Sequence, residues 1–217
     1  MSAGRMLVVL DVDSTLTQNE GIDLLAESVS PAVAERVAVI TAHAMAGELD
    51  FAESLSQRVK ELAGVTQHQL ASASARVRLS VGAHTLVDSL HHAGHLVAAV
   101  SGGFHEMLDP LALDLGLNFH RANRFITKGS VLTGDVERPI VDAAAKEASL
   151  RGWAALNGID MADTVAVGDG SNDIDMLRAA GIGIAYMAKP VLKEAADRVI
   201  DTPDLALVLD ELGILRI

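Results

Sequence analysis

Leu7-Val8-Val9-Leu10-Asp11-Val12-Asp13-Ser14-Thr15 runs four apolar residues directly into two carboxylates, without the polar alternation of a strand that has one wet face. A short strand that is apolar on both sides belongs to a parallel sheet covered by helices on both faces. Ligands of such sheets collect at the carboxyl ends of the strands, so the first polar residues after the run are the first candidates for chemistry. The same grammar recurs at residues 96–100, which lead into Ser101-Gly102-Gly103, and at 164–167, which lead into Gly168-Asp169-Gly170-Ser171-Asn172-Asp173. Three loops of this kind at the ends of neighbouring strands would meet in one crevice. The fold expected is α/β, a Rossmann-like three-layer core with a mainly parallel sheet.

Between the first two runs lie about 60 residues rich in Ala, Glu and Leu, with apolar positions at helical spacing. Helices are expected over 22–29, 33–45, 51–62 and 68–77, parted in places by Gly47 and Gly64. They amount to a helical-bundle cap inserted in the core, giving 1–17 and 79–217 as core and 18–78 as cap. Further helices are expected at 82–92, 143–157 and 174–180. The stretch 122–136, with Lys128-Gly129 at its turn, reads as an exposed β hairpin flanking the crevice.

Composition narrows the partners. The chain of 217 residues carries 17 Lys and Arg against 29 Asp and Glu, a formal charge of −12, with no basic cluster for phosphate backbones. Nucleic acid is therefore excluded as a partner, because its binding depends on clustered cations. There is no cysteine, which removes disulfides, thiolate metal sites and cysteine nucleophiles. The apolar run before Asp11 is too short for a signal peptide or a membrane span, so a cytoplasmic location with no membrane contact is expected. No G-x-x-x-x-G-K-[ST] loop is present, the dinucleotide fingerprint fails at position 173, and the residues after Asp13 do not make an EF-hand. His91, His92 and His95 lack the companion acid of a zinc helix and are expected to be solvated histidines at a helix end.

Asp11 and Asp13, two residues apart, would project from one side of an extended strand end and repel one another. A hard divalent cation with oxygen ligands, most simply Mg²⁺, would relieve that repulsion and admit a phosphate dianion. Asp pairs also cap turns, so the motif alone is weak. The second acidic loop strengthens it: Asp169 could complete a metal site and Asp173 support it, although Asp173 also suits the start of the following helix. The Ser101 hydroxyl and the amides beside it could grip phosphate oxygens. Lys146 could add a positive charge, though an isolated helical lysine is usually a solvated one.

Taken together these motifs resemble the haloacid-dehalogenase-like phosphohydrolases. Asp11 to Thr15 stands as the first motif, Ser101 as the second, Lys146 as the third and Gly168-Asp169 through Asp173 as the fourth. Within that family the chain is similar to the members that act on phosphoserine. Asn19-Glu20, His43-Ala44-Met45-Ala46-Gly47, residues 51–58 and Ser101-Gly102-Gly103-Phe104 carry this likeness over nearly the whole length. The resemblance implies hydrolysis of O-phospho-L-serine to L-serine and phosphate, the last step of serine biosynthesis. Asp11 would be the nucleophile and Asp13 the acid and then the base. Asp11, the backbone carbonyl of Asp13 and Asp169 would hold Mg²⁺, with Asp173 behind them and Ser101 and Lys146 on the phosphate. Glu20 and Arg58 would read the ammonium and carboxylate, Gly102 and Asn172 would approach the ligand closely, and Met45 and Phe51 would form an apolar lid.

Val12 stands where many relatives have an aromatic residue, and with the first strand so near the start, an amino-terminal regulatory domain of the kind some relatives carry is not expected. Related enzymes take phosphohomoserine or pass the phosphoryl group to another alcohol, and phosphoacceptor signalling modules also expose a phosphorylatable aspartate. A small phosphomonoester and, as a further expectation, a homodimer complete the list of partners.

Overall fold

A computed structural model of the chain describes residues 4–45 and 48–217. Six strands form one parallel sheet: β1 (Leu7–Leu10), β2 (Leu96–Phe104), β3 (Phe119–Asn123), β6 (Thr164–Gly168), β7 (Ile182–Tyr186) and β8 (Arg198–Ile200). Their order is β3-β2-β1-β6-β7-β8. The chain builds outward from β1 to one edge, then returns to its other side and builds to the opposite edge. β1 is therefore the switch point, and the loops after β1, β2 and β6 border the same crevice.

Alternation along β1 divides the core. Val8 and Leu10 pack with Val97 and Val165 against helices α5 (Ala83–His92), α6 (His105–Leu115) and α10 (Leu207–Leu212). Leu7 and Val9 pack with Ala98 and Ala166 against α7 (Ala143–Leu156), α8 (Ile174–Ala179) and α9 (Pro190–Lys193). All four β1 residues are fully buried, which explains the missing polar alternation. Each such side chain contributes about 1.5–3 kcal/mol through its removal from water.

The inserted stretch forms α1 (Gly21–Val29), α2 (Pro31–Met45), α3 (Phe51–Lys60) and α4 (Gln67–Ser74). Local signals set their starts. The Asp50 carboxylate accepts the Glu53 N–H at 2.7 Å, and Thr66 and Gln69 form a reciprocal capping box. Leu25, Val37, Leu55, Val59 and Leu70 make a separate apolar cluster. The chain leaves and re-enters the region of the sheet through an antiparallel bridge between Thr17 and Leu79. Gln18 N–H donates to the Arg78 carbonyl beside it. Gly47 and the Met45 side chain lie outside the described residues.

Several expectations need correction. Ala122 and Asn123 belong to the main sheet; the hairpin is only β4 (Phe125–Lys128) and β5 (Val131–Val136). One face of it is buried rather than exposed, because Phe125 and Leu132 join the apolar cluster of the inserted helices. Ser101-Gly102-Gly103 is not a loop beyond the strand end. It is an irregular stretch within β2, and α6 begins only at His105. His95 is not solvated either: its Nδ1 accepts the Met6 N–H at 3.1 Å, and burial lowers its pKa. No helix among the described residues is long and apolar enough to cross a membrane.

Candidate active site

β1 stops at Leu10, yet Asp11 and Asp13 both keep extended backbone angles, and both line one cavity as expected. After them the chain turns tightly, with Ser14 at φ 61°, and the two carboxylates take different partners. Asp11 points into the core, where it meets Lys146. Asp13 turns outward: its Oδ1 accepts the Gly21 N–H at 2.9 Å and its Oδ2 accepts the Ser101 hydroxyl at 3.0 Å. Val12, between them, packs in the core.

Lys146 is 0% exposed, the reverse of a solvated helical lysine. Asp142 caps α7 by accepting the Ala145 N–H at 2.9 Å, and the first turn of that helix carries Lys146 inward. Its Nζ bridges Asp11 and Asp173, the latter at 2.7 Å. Asp173 does not cap the helix that follows it. Its second oxygen accepts the N–H groups of Asp169 and Gly170, each at 3.2 Å, and so shapes the acidic loop before the helix.

Asp11, Asp169 and Asp173 bring carboxylate oxygens within 4.8 Å of one another. Burial raises the Asp11 pKa, the Asp173 charge adds to the rise, and Lys146 opposes it. Asp169 is pushed up to about 6, first by burial and then by Asp173. Burial disfavours the Lys146 charge, yet Asp11 and Asp173 outweigh it and raise its pKa. Three carboxylates against one bridging ammonium leave an excess of two negative charges, which a hard divalent cation offsets. Asp11 and Asp169 are the oxygen donors suited to it, since both Asp173 oxygens are already engaged. The cluster can therefore hold a metal ion.

Above this floor lies a cavity of about 560 Å³ lined by Asp11, Asp13, Glu20, Phe51, Arg58, Gly102, Asp169 and Asn172, among others. It gathers residues from the inserted helices and from the strand ends. Glu20 is exposed at the rim of the cavity. Desolvation and the Asp13 charge push its carboxyl up to about 7, although the Ser14 hydroxyl donates to it at 3.0 Å. Burial lowers the Arg58 pKa against the opposing effect of Glu20 and Asp23. Phe51 closes over Gly102 so tightly that a Cβ there would lie 2.7 Å from its ring. A Cβ on Gly103 would lie 2.6 Å from Asp13 Oδ2, so a side chain at either position would displace Phe51 or Asp13.

Sequence reasoning missed Asp23, Ser54 and Lys189, all of which line the cavity. Asp23 sits one helical turn beyond Glu20, and Ser54 one turn before Arg58. Helical spacing could have found both. The signal for Lys189 was fainter: a lysine before Pro190, just past the apolar run that forms β7.

A family model for haloacid dehalogenase-like hydrolases matches residues 8–178, and the chain belongs to that family. A phosphoserine phosphatase of Streptococcus thermophilus is 46% identical over 98% of this chain and all of its own length. One of Streptomyces coelicolor is 48% identical over 98% of this chain, which spans only 51% of that longer relative. A solved phospho-aspartyl intermediate analogue of phosphoserine phosphatase superposes with a TM-score of 0.90 at 42% identity, covering 96% of this chain and 99% of that one.

Proposed function

We propose that the chain is a Mg²⁺-dependent phosphoserine phosphatase, hydrolysing O-phospho-L-serine to L-serine and phosphate through an aspartyl phosphate on Asp11. The observation that carries this reading is one cavity with Asp11, Asp13 and Asp169 at its floor and Glu20 and Arg58 on its wall. An α-amino acid bearing a phosphate needs that combination: an acid for its ammonium, a guanidinium fork for its carboxylate and a nucleophile beneath its phosphorus. Relatives named phosphoserine phosphatases, 46% and 48% identical to this chain, support the same substrate.

A carboxylate oxygen of Asp11 attacks phosphorus as the bond to the serine oxygen breaks, and Asp13, in its acid form, gives that oxygen its proton. L-serine leaves. Asp13, now ionised, takes a proton from water, whose oxygen attacks phosphorus and releases the Asp11 carboxylate and phosphate. Ser101 and Lys146 hold the phosphoryl oxygens while charge redistributes. Asp173 keeps Lys146 and the 169–170 amides in place. Asp11, the Asp13 backbone carbonyl and Asp169 would hold Mg²⁺, which when bound supplies Lewis-acid charge to the phosphoryl oxygens.

The division into a core, 1–17 and 79–217, and a cap, 18–78, belongs to this proposal. The Thr17–Leu79 bridge supports a hinge at that boundary. Phe51 and Met45 would be the apolar part of the lid, and Gly102 and Asn172 the close neighbours of the ligand. The test is phosphate release from O-phospho-L-serine, phosphohomoserine and other phosphomonoesters, with Mg²⁺ and with chelator. Mg²⁺-dependent turnover favouring phosphoserine, lost in D11N, is expected. Preference for another ester rejects the substrate, and a long-lived phosphoprotein without turnover rejects the enzyme.

A further inference from the structure

The ladder between β2 and β3 pairs Val100 with Arg121 and next Phe104 with Asn123. Three residues, Ser101 to Gly103, thus stand opposite Ala122 alone and bulge from the sheet. A bulge strands backbone groups that the ladder would have paired, and leaving such a group buried and unpaired costs about 1–3 kcal/mol. Two side chains meet this need. His105 Nε2 accepts the Ala122 N–H at 3.1 Å, and Asn123 Nδ2 donates to the Gly102 carbonyl at 2.8 Å. His105 therefore carries its proton on Nδ1, where it donates to Asp109 at 2.6 Å. That proton occupies the nitrogen a metal would need, so the His105–Asp109–His120 group anchors α6 and is no metal site.

Asn123 reaches further. Its Oδ1 accepts the Val141 N–H at 2.7 Å, immediately before the capping residue of the helix that carries Lys146. One amide, 3% exposed, thus ties the loop of Ser101 and Gly102 to the segment that delivers Lys146. A carbonyl on one side and an N–H on the other require a donor and an acceptor on one planar group. Among side chains of this size and shape, asparagine offers both at every pH, whereas an aspartate gains a donor only when protonated.

We propose that Asn123 is a positioning residue for phosphoryl transfer, fixing the bulged 101–103 loop against the Lys146 helix; the inference rests on the phosphatase reading above. A shift of about 1 Å between groups that grip one phosphoryl unit lowers the rate about 100-fold. The experiment compares the full-length parent, N123A and N123D in steady-state kinetics with O-phospho-L-serine and Mg²⁺, and in amide hydrogen exchange without substrate. Both variants should keep the parental circular dichroism while kcat falls about 10- to 100-fold and KM moves less than about threefold. In N123D the introduced acid, once protonated, can donate to the Gly102 carbonyl, so the ratio of variant to parent kcat should rise as pH falls. Exchange should quicken together in 101–104 and 141–146. If N123A does not fold, N123D carries every readout. Parental kcat in folded variants, or exchange quickened in β3 alone, overturns the clamp and leaves the phosphatase reading standing. A parent inactive on phosphoserine overturns that reading, and the exchange pattern then decides the clamp.

Discussion

The floor of the cavity and its wall are built on opposite plans. At the floor, Lys146, Asp11 and Asp173 are buried and mutually paired before any ligand arrives, and backbone amides fix Asp173. On the wall, Glu20 and Arg58 face a wide cavity and each carries a charge that desolvation opposes. The floor is held by its own ion pairs, whereas on the proposed reading the wall awaits the charges of a zwitterion. Groups that move electrons must be aligned beforehand, while groups that select a substrate gain discrimination by being unsatisfied without it.

If the floor holds the chemistry, D11N should give the largest loss, about 10⁴-fold or more in kcat, with no hydroxylamine-labile phosphoenzyme trapped by acid quench. Residual turnover near that of the parent would break the distinction at once. K146A should come next, and it should act on stability as well. Removing the ammonium leaves Asp11 and Asp173 buried without their cation, a loss of about 3–5 kcal/mol for a broken buried pair, to be read from urea unfolding. An unchanged midpoint would mean that the floor is wetter than its geometry indicates.

The wall should respond differently. R58A should raise KM for O-phospho-L-serine about 30-fold, as expected for about 2 kcal/mol of charge-assisted hydrogen bonding. Turnover of a phosphomonoester lacking a carboxylate should change little. Equal losses on both substrates would place Arg58 with the floor. Glu20 should give the smallest effect and the one that depends on pH. With its pKa pushed up to about 7, it is neutral at lower pH and cannot pair with an ammonium. KM should therefore rise as pH falls through about 7, and E20Q should flatten that limb. The raised pKa also fixes the sign in the ligand-free fold. This group's contribution to stability is complete below about 4.5 and is lost as pH rises through about 7, so E20Q should unfold with a weaker pH dependence in that window.

Much of the architecture was legible because its cause is local. The apolar runs ending at Leu10, Val100 and Val167 announced buried parallel strands, and apolar residues at helical spacing announced the inserted helices. What failed were inferences that assumed a local conformation would continue. Lys146 leaves the solvated face of its helix because Asp11 and Asp173 pair with it, and Ser101 to Gly103 stay in a strand because Asn123 and His105 satisfy the groups that a bulge exposes.

By itself, then, the sequence determined the element types, the acidic loops at the strand ends and the chemical kinds of side chain available to a phosphate. Composition and periodicity act through neighbours along the chain, and those neighbours are written in order. The tertiary structure alone decided that Lys146 lies buried between two aspartates and that the two carboxylates of the first loop face different partners. It also decided that Asn123 joins segments many residues apart. Each of these follows from burial and hydrogen bonding between distant segments, where the free-energy cost of an unpaired charge or amide selects one arrangement that no local pattern encodes.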